Sequence, residues 1–424
     1  MNYLNATKAE LSALYNSLCT AYEAERAKGL SLDLSRGKPT AEQLDLSMPM
    51  LTGEGAERYL AKDGTDCRNY GVLQGLPEMR AFWSSLTGIP AKNIVVGGNS
   101  SLNLMYDTVA RAMLYGVAGS ARPWCREEKV RFLCPVPGYD RHFAICESLG
   151  IEMIPVPMCS DGPDMDMVEA LVLSDASIKG IWCVPKYSNP TGITYSDETV
   201  KRFARMKTAA PDFRIFWDNA YMVHDILDEG DALTDLYAEA LAAGNEDRVF
   251  FFSSTSKITF PGAGVAMMAM SDVNLAVTLP VLGVQTIGHD KMNQLRHLAF
   301  LPDKAAVSSL MKKHAAFLSR RFSIALETLK RDLGDTGVAS WTEPHGGYFI
   351  SLDVFPGTAK RVYALCAEAG VTLTKVGAPF PYGRDPEDKN LRLAPSYPTE
   401  ADLAAAMAIL TLSVRIAALE KIGV

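Results

Sequence analysis

The sequence predicts an α/β protein: a large three-layer domain built on a mainly parallel sheet, joined to a smaller α+β domain. Two observations carry this. Between Asn93 and Asp272, short β-rich runs at 94–96, 130–134, 180–184, 213–217, 249–252 and 265–270 alternate with helical stretches, the rhythm of parallel strands covered on both faces by helices. The chain has 424 residues, 48% of them apolar, enough for a large core and too many for one compact domain.

Taken in order, residues 5–28 place Ala, Leu and Tyr at helical spacing, and Gly29 closes the pattern. The polar loop Leu34-Ser-Arg-Gly-Lys-Pro-Thr40 follows. After the alternating region, a long helical stretch at 302–332 leads to an α+β unit containing 347–353, 359–370 and 390–393. We therefore expect three segments: 1–47, a helix and loop belonging with the small domain; 48–305, the large domain; and 306–424, the small domain.

The net charge is −7 with 21% charged residues, so nothing draws the molecule as a whole to nucleic acid or an anionic membrane. Residues 1–34 lack the layout of an export signal. No apolar run reads as long enough to span a bilayer. Eight scattered cysteines with no Cys-x-x-Cys spacing point to reduced thiols in a cytoplasm rather than a disulfide frame or a metal site.

Sheets of this kind bind ligands beyond the carboxyl ends of their strands, and four segments fall there. In Phe250-Phe-Phe-Ser-Ser-Thr-Ser-Lys257 an aromatic strand runs into hydroxyls and a lysine. A poorly solvated amine favours the neutral form that an imine-forming nucleophile needs; alone, the same lysine reads equally as a surface charge. Phe216-Trp-Asp218-Asn-Ala-Tyr221 ends a strand in a carboxylate with a phenol three positions on. Such a carboxylate keeps a pyridine nitrogen protonated, or else caps a helix. Val184-Pro-Lys-Tyr-Ser-Asn189-Pro-Thr-Gly192 offers an amide on a rigid turn, a pattern also common as loop punctuation. Val95-Val-Gly-Gly-Asn99-Ser100-Ser101 opens a helix with amides and hydroxyls suited to phosphate. It lacks both Gly-x-Gly-x-x-Gly and Gly-Lys-Ser, which argues against nucleotides.

In this order, and with Tyr70-Gly-Val-Leu-Gln-Gly75 and Asn390-Leu-Arg-Leu-Ala-Pro-Ser396, the segments resemble the class I aminotransferases of the fold-type I pyridoxal-phosphate family, most closely the bacterial type Ic aspartate aminotransferases. The resemblance implies pyridoxal 5'-phosphate as cofactor, Lys257 as the Schiff-base lysine, and Asp218 as partner of the pyridine nitrogen. Tyr221 and Asn189 would hold the ring oxygen, Tyr139 would stack on the ring, and His142 would support Asp218. Asn99, Ser100, Ser101 and Ser254 match phosphate ligands. Tyr70 matches a tyrosine lent by a second subunit, implying a homodimer with shared active sites. Arg392 matches the arginine that forks onto the substrate α-carboxylate, with Asn189 and Gly37 beside it. The implied reaction moves the amino group of an amino acid, aspartate or glutamate, to 2-oxoglutarate or oxaloacetate.

One departure stands out. Many relatives carry an arginine seven or eight residues after the lysine, where this chain has Gly264 and Val265. Lys291, Arg296, Lys38 and Lys375 are candidates to replace its charge. Arg36, Lys38, Arg141, Lys291 and Arg296 are candidates for a substrate side-chain carboxylate. An aromatic or alanine aminotransferase, a decarboxylase or a β-lyase could use the same lysine. A regulator fused to a DNA-binding winged helix would need more than the roughly thirty residues before Leu34.

Overall fold

The computed structural model describes residues 1–424. Its strands are β1 Leu32–Asp33, β2 Ile94–Val96, β3 Arg131–Val136, β4 Glu152–Cys159, β5 Gly162–Pro163, β6 Ile178–Cys183, β7 Arg214–Asp218, β8 Val249–Ser254, β9 Ala266–Ala269, β10 Ala339–Trp341, β11 Ile350–Val354, β12 Val371–Thr372 and β13 Asn390–Leu393. Eight form one sheet in the order β2-β9-β8-β7-β6-β3-β4-β5. Its pairings are parallel except those made by β9 and β5, so the expected mainly parallel sheet is present.

Strands β6, β7 and β8 are buried along their whole length. They lie in mid-sheet with helices on both faces, which is why they read as continuous apolar runs rather than alternating ones. The expected runs appear within a residue or two of their predicted limits. The strand β4 was not expected, because Pro155 and Pro157 interrupt it. Both prolines can stay because β4 pairs with β3 along one edge and their missing N–H groups face the other. On that second edge the Pro157 carbonyl accepts from Asp164 N–H.

The amino-terminal helix is Lys8–Arg26, started by a capping box between Thr7 and Glu10, and Gly29 follows it at φ +61°. The long helix is Lys304–Leu333, capped by Asp303. Its first half packs into the core of the large sheet through Val307, Leu310 and Met311, and its second half into a separate core through Leu318, Phe322 and Leu329. That second core also takes Leu11, Leu18 and Tyr22 of the first helix and the antiparallel sheet β10-β11-β13. The strand β1 joins it by pairing parallel with β12.

One expectation is corrected here. The helix Glu400–Ile422 is long and apolar enough to cross a membrane by length and composition alone, with a mean hydropathy of 1.8. It passes because it lies in the middle of the second core: Leu403, Met407, Leu410, Val414 and Leu419 are buried there. A helix apolar all round is what a core position demands. All eight cysteines are free, and five are buried.

Candidate active site

At the carboxyl ends of β2, β3, β6, β7 and β8, where the sequence reading placed the chemistry, lies a cavity of about 260 Å³. Nine of the expected residues line it: Gly37, Ser100, Ser101, Tyr139, Asn189, Asp218, Tyr221, Ser254 and Lys257.

Asp218 ends β7 and is buried. Its Oδ2 lies 3.1 Å from His142 Nε2, while its Oδ1 is buried with no hydrogen-bond partner. His142 is held flat against Trp182, with ring centroids 4.3 Å apart and planes 10° apart, and Tyr139 meets it edge-on. A buried carboxylate oxygen without a partner is costly. Such an oxygen in a cavity wall is suited to a cationic N–H that the protein itself does not supply. His142 stands behind the aspartate rather than in the cavity wall, as a supporting residue would.

Lys257 leaves β8 through the turn Thr255–Thr259, in which Ile258 N–H and Thr259 N–H both donate to the Thr255 carbonyl. Its Nζ lies 4.8 Å from the centre of the Tyr221 ring and 5.9 Å from that of Tyr348. Burial, with the Asp218 charge adding to it, pushes the Tyr221 phenol well above its ordinary range. Burial likewise raises Tyr139 to about 12, against the opposing pull of Lys257. Both phenols therefore stay protonated at neutral pH and can donate hydrogen bonds.

The phosphate-like corner is the start of the helix Ser101–Tyr115, with Ser100 as its cap. Ser256 N–H donates to Ser254 Oγ, and the Ser256 hydroxyl donates to the Asn99 carbonyl at 3.0 Å, so the two serine-bearing loops are tied together. The Asn99 side chain departs from expectation: its amide is turned away to the Pro261 carbonyl at 3.3 Å, and Asn99 does not line the cavity. None of Lys291, Arg296, Lys38 and Lys375 lines it either. Lys291 donates to the Gly71 carbonyl at 3.1 Å, and Lys38 sits 4.4 Å over the Tyr397 ring. Of the side-chain candidates, Arg36 is paired with Asp33 and Arg141 is exposed.

Arg392, on β13, approaches from the second core. Its Nη1 donates to Asp140 Oδ1 at 2.7 Å and to Asn189 Oδ1 at 3.4 Å, and its guanidinium stands 5.0 Å from the centre of the Phe349 ring. A glycine is needed at Gly37 beside that ring, since a Cβ there would lie 2.0 Å from Phe349 Cζ. Sequence reading missed Phe349 and Asp140; the only signal for Asp140 was its place between Tyr139 and His142. Tyr70 is far from being buried here: it is 82% exposed and absent from the cavity wall.

Comparison with known proteins shows the family. A family model described as aspartate amino-transferase matches residues 6–423. An aspartate aminotransferase of Corynebacterium glutamicum is 48% identical over 399 residues, covering 94% of this chain and 92% of that protein. The crystal structure of an aspartate transaminase from Corynebacterium glutamicum matches with a TM-score of 0.97 at 46% identity, covering 99% of each chain. An α-aminoadipate aminotransferase from Thermus thermophilus, solved with N-(5'-phosphopyridoxyl)-L-leucine, shares the fold at a TM-score of 0.74 and 20% identity over 95% of each chain. The chain thus belongs to the aspartate aminotransferase family and is a pyridoxal-phosphate-dependent aminotransferase of fold type I.

Proposed function

We propose that this enzyme transfers the amino group of aspartate or glutamate to 2-oxoglutarate or oxaloacetate, with Lys257 as its catalytic lysine. The observation that carries the site assignment is the unpartnered Oδ1 of buried Asp218 in a cavity that also presents Lys257 and Tyr221. When bound, pyridoxal phosphate supplies an aldehyde that condenses with amines and a ring that draws electron density from the amino acid Cα. Asp218 would keep a proton on the ring nitrogen, and His142 fixes the carboxylate that would do so. Tyr221 and Asn189 would donate to the ring oxygen, and Tyr139 would cover the ring face. Lys257 would hold the cofactor through its side-chain amine. The lysine amine would take the proton from the substrate Cα as general base and, as general acid, deliver it to the carbon of the cofactor's aldehyde. Ser100, Ser101 and Ser254 hold the phosphate with hydroxyls and helix-start amides, while Asn99 contributes its carbonyl to the loop rather than its amide to the ligand. Arg392 receives the substrate α-carboxylate, beside Asn189 and Gly37.

We further propose a homodimer in which Tyr70 reaches the neighbouring subunit's cofactor. The exposure of Tyr70, and of Leu114, Tyr115, Val284 and Ile287, supports this reading. The grouping of most buried residues into two cores supports a division into 1–47, 48–305 and 306–424, with the long helix running from one core into the other. Eight free cysteines fit a cytoplasmic setting.

The test is an absorbance spectrum of the purified holoenzyme before and after adding aspartate, followed by a panel of amino donors at fixed 2-oxoglutarate. The expected results are a cofactor band in the wild type that is lost on adding aspartate, and no such band in Lys257→Ala. Faster turnover of leucine or phenylalanine than of aspartate would sink the dicarboxylate assignment.

A further inference from the structure

We infer that His297 is a positioning residue for Lys257, a neutral imidazole that clamps both ends of the lysine's turn through the hydroxyls of Thr255 and Thr259. The inference rests on the reading of Lys257 as the cofactor lysine. His297 lies on the helix Lys291–Phe300, outside the cavity and remote in sequence from every motif. Its Nδ1 is 2.9 Å from the Asn293 carbonyl, which can only accept, so Nδ1 carries the proton and Nε2 presents a lone pair. That lone pair faces two hydroxyls: Thr259 Oγ1 at 2.9 Å and Thr255 Oγ1 at 3.1 Å. The two oxygens are themselves 3.1 Å apart. One hydroxyl therefore donates to the imidazole and the other to its neighbour's oxygen.

The chain of bonds continues into the segment after the lysine. Val265 N–H donates to Thr255 Oγ1 at 2.9 Å. From the same helix, the Asn293 amide donates to the carbonyls of Ala263 and Gly264 at 3.0 and 2.9 Å. Bonds thus run from Val265 through Thr255 and Thr259 to His297, on to Asn293, and back to Gly264. They close a ring that ties the lysine's turn to the two positions, Gly264 and Val265, where the resemblance leads one to expect an arginine. Thr255, Thr259, Val265 and His297 are all at most 2% exposed. Water cannot substitute for a lost partner there without entering the core. Burial holds the imidazole neutral, its pKa pushed down to about 4 against the opposing pull of the Asn293 carbonyl and Asp290, so Nε2 remains an acceptor at working pH.

The experiment uses four variants in two pairs. His297→Phe and Thr259→Val remove the bond. His297→Gln, whose side-chain oxygen reaches the Nε2 position, and Thr259→Ser keep it. Hydrogen–deuterium exchange is measured on the apoprotein over residues 255–265, and kcat and KM on the holoenzyme. The expected result is faster exchange in that segment and a fall in kcat of about tenfold for the Phe and Val variants, the upper range for one uncharged hydrogen bond. KM for the amino donor should stay within about twofold, since no substrate contact is touched. The Gln and Ser variants should recover most of both effects. If His297→Phe fails to fold, the Thr259 pair decides. The inference is overturned if the bond-breaking variants leave exchange or kcat at the wild-type value, or if the conservative variants do no better. Exchange is read without cofactor, so a failure of the Lys257 assignment itself would show separately, as Lys257→Ala retaining activity and the cofactor band.

Discussion

Replacing Asp218 by Asn tests the heart of the site, because it removes charge and almost nothing else. The Asn side chain has the same shape and can keep the contact to His142 that Asp218 makes at 3.1 Å. What it cannot do is present an anion to the cavity at the position of the unpartnered Oδ1. A pair of unit charges about 4 Å apart, at an effective dielectric of about 20, interacts by about 4 kcal/mol. That sum sets the scale of the loss: about a thousandfold in kcat, since about 1.4 kcal/mol is worth a factor of ten. The apoprotein should respond in the opposite sense. Without cofactor, the wild-type carboxylate is buried, with one oxygen unsatisfied, and a neutral amide relieves part of that cost. We therefore expect a melting temperature of apo Asp218→Asn at or above the wild-type value, measured by calorimetry, alongside a collapse of kcat in a coupled transamination assay. A loss of activity under tenfold would refute the role of the charge. A large fall in apoprotein melting temperature would mean that Asp218 serves the fold first.

Three further outcomes follow from the geometry. Gly37→Ala forces Phe349 to move, because the added carbon would stand 2.0 Å from its ring. The ring backs Arg392, so KM for the amino donor should rise about tenfold, within the range overpacking costs, while cofactor affinity stays unchanged in an equilibrium titration. Mixing inactive Tyr70→Ala and Lys257→Ala dimers under exchange conditions should restore about a quarter of wild-type activity, since half of the dimers become hybrids with one complete site each; no recovery would rule out a shared site. His297 and His314 both have pKa values pushed by burial from 6.5 to about 4. Their folded-state values are lowered, so each contributes about 3 kcal/mol of stability that is present above pH 6.5 and lost as pH falls toward 4. Urea midpoints measured from pH 7 down to 4 should drop steeply, and His314→Gln should flatten the curve.

The parts of the site that were legible in the sequence are those carried by one strand end each. Asp218, Ser254 and Lys257 stand where a buried apolar run stops and polar residues begin, and that change of character is local. Arg392 was legible only through the resemblance, because a lone arginine on a strand carries no mark of its partners. The parts that were missed depend on pairing across the chain. Asp140 meets Arg392 across 252 positions, and His297 meets the lysine's turn from a helix some 40 residues on. The fold shows the same division. Mid-sheet strands announce themselves by composition, whereas β4 hides behind Pro155 and Pro157, whose cost depends on which edge faces a neighbour. The helix Glu400–Ile422 shows no polar stripe to reveal its orientation, because the second core surrounds it.

The two cores also divide the work of the site. Ser100, Ser101, Tyr139, Asp218, Tyr221, Ser254 and Lys257 all stand on the carboxyl ends of the large sheet or the turns leaving it. Gly37, Phe349 and Arg392 come from segments of the second core: the loop after β1, the residue just before β11, and β13. Arg392 links the two sides, reaching Asn189 at 3.4 Å and Asp140 at 2.7 Å on the segments that leave the sheet. Asp140 occupies one edge of the guanidinium with a carboxylate of the protein's own, so an incoming α-carboxylate meets a cation that is already oriented and partly neutralised. Orientation in advance lowers the entropy lost on binding, while partial neutralisation lowers the attraction itself. Substitutions in the second core should therefore change KM for amino and oxo acids far more than affinity for the cofactor, and substitutions at the sheet ends should do the reverse.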